Sequence, residues 1–146
     1  MSTYSLHLGA QYYLRLMPIY ISMELFKAGA YVLNARNILI YNSSMYSTDY
    51  SSPYKYEKLL SVNSIRNAIN IVTECIPTLT VVPDLEQCAI VTHHILLGYK
   101  QSVKVCPKHE SIGLLRTLAQ AQVCLNGAYT TTNQVKLQFQ MYREKS

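Results

Sequence analysis

Between Glu57 and Ile76 the apolar residues fall at Leu59, Leu60, Val62, Ile65, Ala68, Ile69, Val72, Cys75 and Ile76. Steps of three and four place them on one continuous face of a helix, with Arg66, Asn67, Asn70 and Glu74 mostly on the other. Ser52-Pro53 offers an N-cap and a first-turn proline, and Pro77 is expected to stop the helix. A chain built around such a helix must bury that face against other elements.

A second segment, Ser111 to Leu125, repeats the pattern at Ile112, Leu115, Leu118, Ala119, Val123 and Cys124, and Asn126-Gly127 reads as its left-handed cap. Together the two segments predict a core containing Leu60, Ile65, Ile69, Val72, Leu115, Leu118 and Ala119. Between them, Asp84 to Leu97 is rich in Ile, Val and Thr and could be a buried strand. The capping box of Asp84 with Gln87 favours a helix, with Asp84 as N-cap and Gly98 as the stop. Upstream, residues 21–40 read as a long helix whose stripe is Leu25, Phe26, Ala30, Leu33, Asn37 and Ile40. Gly29 in its middle costs about 1 kcal/mol relative to Ala, and close packing would explain it.

The two ends are ambiguous. Residues 4–17 alternate as a strand would, yet Leu6, Ala10, Tyr13, Leu14 and Met17 also fit a helix kinked at Pro18. Val135, Leu137, Phe139 and Met141 alternate, yet Thr131 and Gln134 form a capping box ahead of a helical reading. The expected architecture is all-α, a bundle or stacked hairpins of five to six helices. The alternative is α+β, with terminal strands paired beside a central helical layer. The 146 residues fit a single domain, 1–146. Residues 41–56, dense in Tyr and Ser and without period, read as a long loop.

Hydrophobic residues are 49% of the chain and charged ones 14%, well below the usual quarter or so. The net charge is +5. It is spread along the sequence, with six basic and three acidic residues in 1–73 and seven and five in 74–146. No two basic residues are adjacent, which argues against a nucleic-acid-binding stripe. The densest group is Lys100, Lys104 and Lys108 beside His109, a solvated rim or a contact for acidic lipid or phosphate. No signal peptide or spanning segment is visible, so the expectation is an intracellular, soluble protein, cytoplasmic rather than nuclear. Four widely spaced cysteines then predict free thiols rather than disulfides.

Catalytic patterns are missing from the sequence. There is no nucleophile elbow, glycine-rich phosphate loop or paired-carboxylate motif. His93-His94 sits among Ile, Val and Leu, where a histidine is more often packed than catalytic. Cys106 and His109 have zinc-ligand spacing but need two further ligands, and Cys75 and Cys88 fall on apolar faces. No metal, cofactor or enzymatic activity is expected. Tyr with Ser gives large rigid contacts and adaptable hydrogen bonds, the chemistry of protein-binding surfaces. The leading expectation is a non-enzymatic protein-interaction module, self-associating or part of a complex, binding through Tyr46, Tyr50, Tyr54 and Tyr56. The alternative is a small structural or assembly protein of viral matrix type, contacting acidic lipid or nucleic acid through Lys100, Lys104 and Lys108.

Overall fold

The computed structural model describes residues 20–45, 52–80, 82–107 and 110–145, with side chains described over 21–40, 58–80, 82–107 and 110–132. These residues form four helices: α1 (Tyr20–Met45), α2 (Ser52–Leu79), α3 (Pro83–Ser102) and α4 (Ser111–Lys145). A 3₁₀ turn, Val103–Val105, extends α3. Each helix packs on the next in sequence, and α1 closes the ring against α4. Short connections make the neighbours antiparallel, giving an up-down-up-down four-helix bundle. Among the described residues there is no strand, and no helix is long and apolar enough to cross a membrane.

The buried positions follow a common rhythm. The central series in α1 is Ile21, Leu25, Ala28, Val32, Ala35 and Leu39, and in α2 it is Ile65, Ala68, Val72, Cys75 and Leu79, with Ser22 of α1 and Ser61, Val62, Ser64 and Ile69 of α2 also buried beside it. In α3 and its 3₁₀ extension they are Leu85, Ala89, Thr92, Leu96, Tyr99 and Val103; in α4, Ser111, Leu114, Leu118, Ala121, Leu125, Ala128 and Thr132. Every series alternates steps of three and four. That 3.5-residue period keeps a seam facing its partners along nearly parallel axes, as in coiled coils and four-helix bundles. Alanines are interspersed among Leu, Val and Ile along the seams, so the core mixes small and large side chains.

Several expectations are corrected. The described chain has four helices, not five or six, and the α+β alternative falls because residues 131–145 continue α4 as helix. Asn126-Gly127 does not cap it: no described glycine has positive φ, and Leu125, Ala128 and Thr132 pack in the core on either side of the pair. Pro77 does not stop α2. It forfeits one bond to the Thr73 carbonyl, and buried Leu79 anchors the turn beyond it. Gly98 does not end α3, because Tyr99 and Val103 beyond it are buried. Asp84 is not the N-cap. Val82 occupies that position at φ −126° and ψ 91°, Pro83 opens the helix, and Asp84 and Glu86 complement its positive end from the first turn.

The expected loop 41–56 is also cut back, since α1 takes residues 41–45 and α2 takes 52–56. Residues 4–17 lie outside the described residues. Of the predicted core, Ile65, Ile69, Val72 and Leu118 are buried in one cluster and Leu115 packs against it. Leu60 and Ala119 are half-buried at its margin. Ile112 and Val123, assigned to the buried face of α4, are 59% and 61% exposed. The true face is rotated from them by roughly half a turn of helix.

Candidate functional site

Each of the four seams carries a polar contact. Between α1 and α2, Asn34 donates to Ser64 Oγ at 3.2 Å and Ser64 donates to the Tyr31 carbonyl at 2.7 Å. Between α2 and α3, Ser61 Oγ meets the Tyr99 hydroxyl at 2.7 Å. Between α3 and α4, Cys88 Sγ approaches the Cys124 carbonyl at 3.4 Å. Between α4 and α1, the Arg36 guanidinium donates to the Gln122 side-chain carbonyl. Such contacts fix register, which an Ala- and Leu-lined seam specifies poorly by itself. Gly29 of α1 faces Asn126 of α4, and a Cβ there would sit 3.6 Å from Asn126 Oδ1, an ordinary contact. Close packing therefore does not require the glycine.

Burial pushes the Cys75 thiol up to about 11, and the carboxylates of Glu24 and Glu74 push the same way. Burial likewise pushes the Tyr99 phenol up to about 12, opposed by its bond to Ser61 and reinforced by Cys106. Both groups therefore stay protonated at neutral pH, the thiol inert and the phenol a hydrogen-bond donor.

The surface is where the bundle departs from a closed object. Helix α1 has a second apolar series on the side opposite its core face. Met23 and Phe26 are each 61% exposed, Leu33 41% and Ile40 47%, with exposed Ala30 and Asn37 completing steps of three and four. The Phe26 ring meets Tyr129 of α4, with centroids 5.5 Å apart, so the stripe borders α4. Beside it, Lys27, Ala30, Tyr31 and Asn34 line a shallow groove of about 420 Å³. Phe26, Ala30, Leu33, Asn37 and Ile40 belong to the stripe that periodicity marked along this helix; of that stripe the structure buries only Leu25, together with Ile21, Ala28, Val32, Ala35 and Leu39.

Of the residues singled out for binding, Tyr46 and Tyr50 lie outside the described residues. Tyr54 and Tyr56 fall on the first turns of α2 by backbone, their side chains outside the description. Lys100, half-buried in the last turn of α3, and exposed Lys104 in the 3₁₀ turn are one helical turn apart; Lys108 is outside the description. The fold adds a residue that spacing could not supply. Lys58 of α2 donates from Nζ to the Cys106 carbonyl at 2.9 Å and lines a groove with Lys104.

His93 is half-buried and His94 exposed, their ring centroids 6.1 Å apart. Cys106 directs its Sγ at the Pro107 carbonyl, and its expected co-ligand His109 is outside the description. Cys75, Cys88, Cys106 and Cys124 are free thiols. Among the described residues no three His, Cys, Asp or Glu gather as metal ligands would.

The chain matches no family model, no curated protein and no solved structure. What it does must be argued from its own surface.

Proposed function

We propose that the protein is a non-enzymatic helical interaction module that self-associates through the outer stripe of α1. The observation behind this reading is that α1 carries two apolar seams of the same 3.5-residue period, and its own bundle covers one. Its second seam is also complementary to itself. Run antiparallel against a copy, it sets Met23 opposite Ile40, Phe26 opposite Asn37 and Ala30 opposite Leu33. Large residues then meet smaller ones in two of the three layers, as interdigitation needs. The single polar member, Asn37, is the kind of seam residue that fixes register in paired helices.

Sedimentation equilibrium with Leu33→Ser tests the proposal. Leu33 is exposed in the bundle, so the variant keeps its melting temperature. The expected result is a concentration-dependent dimer for the unaltered chain and a monomer for the variant. A monomeric unaltered chain, or a dimer indifferent to Leu33→Ser, overturns the assignment.

A further inference from the structure

Folding brings cations from separate parts of the sequence together at one end of the bundle. Glu24, Glu74, Asp84 and Glu86 fall toward the end of the bundle where α2 turns into α3, with Lys27 paired to Glu24 at 3.0 Å, and the last turns of α4 carry Lys136, Arg143, Glu144 and Lys145 toward that end by backbone. Lys58, Lys100, Lys104 and Arg116 fall toward the opposite end, together with Glu110 and, by backbone, Lys55 and Glu57 of α2. Antiparallel packing is the cause, because it sets the early turns of α2 beside the last turn of α3 and the start of α4.

Exposed aliphatic side chains share that basic end. A groove of about 320 Å³ is lined by Lys58, Leu59, Val62, Val103 and Lys104. Leu59 is 64% exposed, and Val105, two residues beyond Val103, is 84% exposed. These are the two most exposed large apolar side chains among the described residues. Lysines from two elements therefore surround aliphatic groups that project into solvent.

We propose that this end docks on an anionic lipid surface, Leu59 and Val105 entering the headgroup–acyl boundary while Lys100 and Lys104 meet the acidic headgroups. Charge complementarity selects the anion, and the projecting aliphatics select a bilayer. A nucleic-acid strand would be read by rings stacking on its bases, and among the described residues those lining this groove are aliphatic and cationic. The site is separate from the α1 stripe, so each proposal stands or falls alone.

Vesicle co-sedimentation tests it, using phosphatidylcholine vesicles with and without about a third phosphatidylserine. The full chain should bind the anionic vesicles and leave the neutral ones. Lys104→Gln should weaken binding about fivefold, the effect of one lysine near such a surface. The double variant Leu59→Ser with Val105→Ser should weaken it about tenfold or more, with the melting temperature unchanged. Inorganic phosphate matched to the lipid phosphate should not displace the protein. Four results each overturn the proposal: no preference for anionic vesicles, full binding by the serine double variant, displacement by inorganic phosphate, or tighter binding to a single-stranded RNA than to anionic vesicles. Lys58→Gln is not the deciding variant, because Lys58 also holds the Cys106 carbonyl.

Discussion

The Tyr99 hydroxyl lies 2.7 Å from Ser61 Oγ across the seam between α3 and α2. Ser61 has one proton, and it goes to the Lys58 carbonyl at 2.8 Å. Tyr99 is therefore the donor. Tyr99→Phe removes that donor from a buried site without changing its shape, and should cost about 1 kcal/mol in denaturant unfolding at neutral pH. The pH dependence follows from the raised phenol, up to about 12 against an ordinary 10.0. Above pH 10 the unfolded chain loses this proton first, so the stabilisation present below pH 10 is lost as pH rises toward 12. The Phe variant should show a flatter fall in stability over that window than the unaltered chain. Parallel curves would mean that Tyr99 ionises as freely folded as unfolded.

The 3.5-residue seam makes a sharp distinction within one helix. Leu118 of α4 is fully buried, and Val123, five residues on, is 61% exposed. Leu118→Ala should cost roughly 2–5 kcal/mol, the range for large-to-small changes in a packed core. Val123→Ala should stay within about 0.5 kcal/mol, as surface substitutions do. Chemical denaturation of both variants checks the rotation of α4. Equal losses would place the helix face elsewhere.

How far the sequence carries can be judged helix by helix. In α2 the apolar residues crowd one side, so Ile65, Ile69 and Val72 could be assigned to the core from spacing alone. In α1 they could not. Its sequence holds two seams of equal period, and the buried one contains Ala28 and Ala35, whose small side chains weigh little beside Phe26 and Leu33. The choice between them is made by what α2 and α4 present, which no local pattern records. Helix ends failed for a related reason. Pro77, Gly98 and Asn126-Gly127 are stop signals of a few kcal/mol at most, and packing of Leu79, Val103, Ala128 and Thr132 outweighs them. The meeting of Lys58 with Lys104 joins positions far apart in sequence and needs the antiparallel hairpin to be known.

Cys75 is buried beside two carboxylates, and its thiol is held up to about 11 against a usual 9.0. It should resist thiol reagents in the native protein and react once the bundle opens. Following modification of Cys75 in a chain whose other cysteines are replaced by Ser or Ala checks this. The reaction should track global unfolding in denaturant, because the nucleophilic thiolate is scarce and enclosed. Rapid labelling of the native protein at pH 8 would show that the α1–α2 seam opens locally. The same shift predicts a decline in stability between about pH 9 and pH 11, since the unfolded thiol ionises first, and Cys75→Ala should lessen it.

Gly98 offers a test of whether α3 runs unbroken. It lies in the exposed face of the helix, its φ is not positive, and a Cβ built there meets nothing within 4 Å. Alanine therefore fits the native backbone, and it narrows the freedom of the unfolded chain. Gly98→Ala should stabilise the protein by roughly 0.5–1 kcal/mol. For a chain of this size that is a rise of a few degrees in melting temperature. Were Gly98 instead a left-handed stop, as its neighbourhood in the sequence suggests, the added Cβ would strain the backbone by about 1 kcal/mol or more. The sign of the change in melting temperature thus decides between a helix that ends at Gly98 and one that carries Tyr99 onward to meet Ser61 of α2.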